Sequence, residues 1–196
     1  MPRSDKVNRR THRAQSHRDR VRNGQAPTFG NPGSNLVRFI GDLTLIPDDR
    51  RNAPFSNAEI MAWYDFCLKP ALVAKNLVWT GQQFGLITSP EAGRYKLTED
   101  AHELLVEGGY GKRVDLLHRV ALNPPLFEAM YRRFGWTPRS ARCVVNYLTN
   151  LRFTQSEAEE IRDHYWRTGL FAQDPDRFGE NLCNTLINLA RTVRRG

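Results

Sequence analysis

Residues 56–105 constrain the fold of this chain more than any other stretch: two helix-type patterns run into a short apolar segment, a turn and a second short segment before another helix begins. Ser56-Asn57-Ala58-Glu59 has capping-box spacing, in which the Ser hydroxyl and the Glu carboxylate satisfy amides otherwise unpaired at a helix start. A partly 3.6-periodic stripe follows through Ala58, Met61, Ala62, Tyr64, Asp65 and Leu68, widened by Ile60 and Trp63. Pro70 suits the first position of a second helix, where its missing amide would be unpaired anyway. Along that helix Val73, Leu77 and Phe84 fall on one side, and Lys75, Asn76, Trp79, Gln82 and Gln83 fall largely on others. Gly85 is the expected left-handed stop. Beyond it Leu86-Ile87-Thr88 predicts a strand, Ser89-Pro90-Glu91-Ala92-Gly93 a turn, and Arg94-Tyr95-Lys96-Leu97 the returning strand. Alternation sends Tyr95 and Leu97 to one face, Arg94 and Lys96 to the other. Thr98 with Glu99 and Asp100 then predicts the next helix start.

Helix, helix and hairpin in that order predict a winged helix, a unit that offers one exposed helix and one hairpin to a partner, most often nucleic acid. Asn123-Pro124-Pro125 breaks a helix over 112–122, and Pro125 can open another over 126–134. Thr137-Pro138 is a further start signal, with Ala141, Val144, Val145, Leu148 and Leu151 as the core stripe. Thr154-Gln155-Ser156-Glu157 repeats the capping box. The helix it opens carries Ala158, Ile161 and Tyr165 and is expected to end at Gly169-Leu170-Phe171, echoing Gly85-Leu86-Ile87. A last helix from about residue 178 aligns Leu182, Leu186, Leu189 and Val193. Residues 36–46 are ambiguous between helix and strand, and 47–54 form a polar loop. The expected fold class is mostly α with a small β-hairpin: a winged helix followed by a second helix-turn-helix unit. Its divisions are a disordered basic tail and Pro/Gly linker over 1–35, a winged-helix domain over 36–108, and a helical domain over 109–196.

Charge is distributed unevenly. The first 24 residues hold eight Lys or Arg, among them Arg9, Arg10 and Arg13, against Asp5 and Asp19, so they carry +6 of the chain's +8. A segment so poor in apolar side chains cannot offset its ordering entropy and is expected to stay disordered until it meets a polyanion. An Arg-rich amphipathic presequence is the rival reading, but the apolar core and cleavage pattern of a secretory signal are missing. No run of about 18 apolar residues predicts a membrane span. Cys67, Cys143 and Cys183 are widely separated within helical patterns, which predicts reduced, buried thiols in a cytoplasmic protein. His102, His118 and His164 stand singly, without a second ligand at i+3 or i+4, and no metal or cofactor is expected.

A catalytic reading finds little to hold. A metal-dependent nuclease needs converging carboxylates and a lysine, typically Asp/Glu-x-Lys on a strand. Asp48, Asp49, Glu91 and Lys96 come nearest, but the residue two before Lys96 is Arg94. Gly-x-Ser-x-Gly, phosphate-loop, dinucleotide and His-Glu-x-x-His motifs do not occur. The expectation is a non-enzymatic protein.

Phe84-Gly85-Leu86-Ile87, Tyr95-Lys96-Leu97-Thr98-Glu99 and Ala121-Leu122-Asn123-Pro124-Pro125-Leu126, in that succession, resemble the tandem winged-helix regions of prokaryotic restriction and defence proteins, including the DNA-recognition half of FokI-type restriction endonucleases. The resemblance covers roughly residues 56–171 and implies DNA contact by one or both units, without cleavage, since no nuclease domain accompanies it. In the simplest arrangement residues 71–84 enter the major groove of double-stranded DNA, where Asn76, Gln82 and Gln83 can read adenine edges and Lys75 meets phosphate. Arg94 and Lys96, with Lys112 and Arg113, would grip the adjacent backbone. The tail would dominate salt dependence, though RNA or anionic lipid would serve it as well as DNA. A second candidate patch gathers Arg132, Arg133, Arg139 and Arg142 around Trp136, as a phosphate-plus-stacking site. Its bland alternative packs Trp136 under the helix that starts at Pro138, with the arginines flanking it in solvent. The runner-up function is an adaptor subunit of a multi-protein complex, binding protein through the winged helix and the C-terminal helix while the tail tethers it to nucleic acid.

Overall fold

The ambiguous stretch resolves as a helix, α1 (Leu36–Leu43), because its apolar residues recur at helical spacing and Asn35 caps it, its side chain accepting from Arg38 N at 3.0 Å. This is a computed structural model, and it describes residues 32–65, 67–105, 113–137 and 140–175. The basic tail with Arg9, Arg10 and Arg13, the residues Lys112, Arg139 and Cys183, and the helix expected after residue 178 lie outside them. A 3₁₀ turn (Asp48–Arg50) leads to a short strand, β1 (Phe55–Ser56), and to α2 (Asn57–Trp63). The capping box at its start is complete: Ser56 N donates to Glu59 Oε2 at 2.8 Å and Glu59 N to Ser56 Oγ at 3.3 Å. Then come α3 (Pro70–Phe84), β2 (Ile87–Glu91), β3 (Arg94–Leu97), α4 (Glu99–Leu105), α5 (Val114–Ala121), α6 (Pro125–Phe134), α7 (Ala141–Asn150) and α8 (Gln155–Gln173). The described residues are thus mostly helical, with a small antiparallel sheet of order β1-β3-β2.

Several local expectations hold and several need correcting. Pro70 opens α3, Pro125 opens α6, and Gly85 stops α3 at φ 72°. The hairpin is tighter than its composition suggested. β2 continues through Ser89 and Pro90 to Glu91, an irregularity between Thr88 and Glu91 absorbs the proline, and Gly93, at φ 72°, closes the turn. The strand β1, paired Phe55 to Tyr95 and Ser56 to Arg94, was not expected, since two residues carry no periodicity of their own. The helix α2 ends at Trp63, so Leu68 is fully exposed rather than part of its core stripe. The cap of α7 is Ser140 rather than Thr137. Cys143 is exposed and Cys67 half-buried, which overturns the expectation of buried thiols at both positions.

The second Gly-Leu-Phe also departs from expectation. The helix α8 runs through Gly169 to Gln173, so the echo of Gly85-Leu86-Ile87 is not a structural repeat. Gly169 is there for a different reason: a Cβ would stand 2.4 Å from the Trp136 ring, which lies directly on the helix backbone. Tyr131, His118 and Tyr165 hold that ring from other sides, at centroid separations of 4.9, 5.8 and 5.1 Å.

One core crosses the boundary expected near residue 108. Phe39, Phe84, Phe127 and Tyr165 make successive ring contacts at 6.1, 6.1 and 5.4 Å, linking α1, α3, α6 and α8, and the buried side chains from Leu36 to Ala172 form one cluster. Each fully buried large side chain contributes about 1.5–3 kcal/mol, so this contiguity outweighs any single polar contact between the halves. Polar contacts then fix the register. Asn123 Nδ2 donates to Phe84 O at 2.7 Å and Thr98 Oγ1 to Gly85 O at 3.0 Å, so residues from two other segments satisfy the carbonyls at the end of α3. Leu36 N donates to Thr168 Oγ1 at 3.0 Å. No described helix is long and apolar enough to cross a membrane.

Candidate nucleic-acid interface

The helix α3 buries Ala74, Leu77, Val78, Thr80, Gly81 and Phe84 against α1, α2 and β2, and turns its opposite face outward. Gly81 lets the hairpin come close, since a Cβ there would meet Ile87 at 2.6 Å. On the outward face Lys75, Asn76 and Gln82 are exposed and Gln83 is half-buried. Gln82 is oriented by the hairpin, its Nε2 donating to Ser89 Oγ at 2.8 Å. Asn57, Lys75, Asn76, Val78, Trp79, Gln82 and Tyr95 line one open groove of about 450 Å³ between α3, the start of α2 and the sheet. Asn57, Val78, Trp79 and Tyr95 were not singled out from the sequence as site residues, because their membership depends on packing between elements.

Arg94 is already engaged. It pairs with Glu59 at 3.3 Å and donates to Pro54 O at 2.8 Å, joining β3 to the chain before α2. Glu59 is a hub: Ser56 hydrogen bonds first, then Arg50 and Arg94, hold its pKa below the usual carboxylate value. An ion pair this exposed is worth under about 1 kcal/mol, so Arg94 serves chiefly to locate the edge of the sheet. Of the two basic residues expected on that strand, Arg94 thus has protein partners in Glu59 and Pro54, and Lys96 is exposed. Arg113 stands at the start of α5.

The second candidate patch does not assemble as a stacking site. Trp136 is 5% exposed, so no base can stack on it without opening the core. Arg132 pairs with Glu128 on the same helix, and the Arg133 guanidinium lies over the rings of Phe134 and Tyr147 at 5.7 and 5.2 Å. Arg142 is exposed.

The end of the expected linker belongs to the body. Pro32 and Asn35 are buried, and the imidazole Nδ1 of His164 lies 3.2 Å from Pro32 O. Gly33 lies against α3: a Cβ there would be 3.0 Å from Thr80 Oγ1 and 3.6 Å from Asn76. Residues 32–35 therefore lie between α8, through His164, and α3, through Thr80 and Asn76. Residues 32–175 carry 17 basic and 17 acidic side chains, whereas α3 has no acid in its 15 residues and follows Lys69. No group of three or more potential metal ligands exists among the described residues. Compared with known proteins, the chain matches no family model, no curated protein and no solved structure.

Proposed function

We propose that this is a non-enzymatic DNA-binding protein in which residues 36–97 form a winged helix, α3 is presented to the nucleic acid, and the N-terminal tail adds sequence-independent affinity. The observation that carries the reading is the outward face of α3, an acid-free helix on which Lys75, Asn76 and Gln82 are exposed together, in a chain whose first 24 residues carry a net +6. The order helix, strand, helix, helix, strand, strand, with β1-β3-β2 pairing, supports the winged-helix assignment. So do the residues that resemble the restriction and defence proteins. Exposed Asn76 and Gln82 carry paired donor and acceptor groups suited to adenine, exposed Lys75 supplies a cation on the same helix, and exposed Lys96 supplies another on β3. A neutral body with a cationic arm divides the labour: the arm holds phosphates, the helix chooses the site.

The test is fluorescence anisotropy of the full chain on random and selected duplexes. Gln82→Ala with Gln83→Ala should narrow the difference between preferred and random sites while leaving the salt slope unchanged. Ser89→Ala, which removes only the partner of Gln82, separates loss of the carboxamide from loss of its orientation. Equal weakening on every duplex would refute groove reading by α3. A second reading, an adaptor that docks on protein, is favoured by the exposure of Leu72 and Trp79 on this face and of Leu68 just before the helix. Complete loss of nucleic-acid binding on removal of residues 1–24 would support it.

A further inference from the structure

The centre of the outward face of α3 is apolar and aromatic. At about 100° per residue, Leu72 and Trp79 lie within roughly 20° of one another on the helix, with Lys75 and Gln82 on one flank and Asn76 on the other. Leu72 is 51% and Trp79 44% exposed. Base edges in an intact major groove are read by hydrogen bonds, and the apolar group they offer is the thymine methyl. An indole face is matched instead by the face of a base taken out of its stack.

Resting on the nucleic-acid reading above, we propose that the groove between α3, the start of α2 and β3 holds one unstacked nucleobase. The preferred ligand is then a single strand, or a duplex carrying an unpaired nucleotide, rather than a perfect duplex. The lining has the needed chemistry. Trp79 and Tyr95 supply aromatic surface, Val78 an apolar wall, and Asn57, Asn76 and Gln82 carboxamides for the polar edge of the base. Gln82 gives one of its two N–H groups to Ser89, which leaves one N–H and the oxygen for the polar edge of a base that presents an acceptor beside an exocyclic amine. A volume of about 450 Å³ is on the scale of a small-ligand site. Charge selects a polyanion over an apolar protein partner: Lys75 lines the groove, Lys69 immediately precedes α3, and α3 carries no acid.

The experiment uses the full chain with three labelled probes: a short single strand, its perfect duplex, and the same duplex with a bulged 2-aminopurine. The single strand and the bulged duplex should bind about ten-fold or more tightly than the perfect duplex, and 2-aminopurine emission should fall on binding as the base stacks. Trp79→Ala should lose that advantage, by about ten-fold or more, with little effect on the perfect duplex, and Trp79→Phe should restore most of it. A thermal melt of both variants separates a binding effect from unfolding, and Trp79→Phe, which keeps a ring in place, is decisive if Trp79→Ala is unstable. Equal affinity for bulged and perfect duplex, without quenching, would overturn the base pocket while leaving duplex binding intact. Failure to bind all three probes would overturn the nucleic-acid reading itself.

Discussion

The Asp42 carboxyl sits where burial outweighs the attraction of Arg38, and its pKa rises from 3.8 to about 6. Its folded value lies above its unfolded one, so its contribution to stability is fully present below about pH 4 and is lost as pH rises through about 6. A shift of that size corresponds to about 2–3 kcal/mol at neutral pH. Asp42→Asn keeps the shape without the charge, and the Asp42 carbonyl can still accept from Tyr64 Oη at 2.6 Å. The urea midpoint of Asp42→Asn should exceed that of the parent at pH 8 and match it near pH 4; a gain independent of pH would refute this account. His164 acts in the opposite sense: burial lowers its pKa, so what it contributes is lost as pH falls below its usual value near 6.5. Residues whose role is local were legible in the sequence. Ser56 with Glu59, Thr154 with Glu157, and Gly85 are examples, because each partner stands within three residues or, for Gly85, in the backbone itself. Trp136 was not, because what buries it includes Gly169 and Tyr165, which arrive from a distant helix.

Between elements, the junction of α3 with the hairpin decides the shape of the candidate site. Gly81 is where the two meet, and Ile87 begins the strand that packs there. Adding a methyl in a helix interior normally favours the helix by up to about 1 kcal/mol, but overpacking at an approach this close costs about 1–3 kcal/mol. Gly81→Ala should therefore lower the denaturation midpoint and speed amide exchange in β2 and β3. Combined with Ile87→Ala, it should cost less than the sum of the two single changes. Strict additivity would show that the hairpin does not rest on α3 at this point. The hairpin was readable from alternation and turn residues. The strand β1 was not, since its two residues extend only because β3 offers unpaired groups beside them. Arg94 shows the same limit. Alternation correctly set it opposite Leu97, but nothing near it in sequence announced Glu59, 35 positions away.

At the scale of the molecule, residues 32–175 have zero net charge while the first 24 residues carry a net +6. If the arm neutralises phosphates, replacing Arg9, Arg10 and Arg13 by Gln should flatten the dependence of log K on log salt by about 0.9 for each duplex phosphate that is no longer neutralised. Site preference should stay as it was. Binding titrations across a salt series measure both, and an unchanged slope would exclude these three arginines from the phosphate backbone. Composition and local pattern by themselves determined the basic arm, most helix starts and stops, the hairpin and the mostly helical class, because these depend on charge density and on partners a few residues apart. Only the tertiary structure decided that the two halves share a core through Phe84, Phe127 and Tyr165, and that Trp136 is buried while Trp79 is exposed. It also decided that Gly33 lies against Asn76 and Thr80. A side chain is covered or left open by whichever elements reach it from far along the chain, and local periodicity does not encode that meeting.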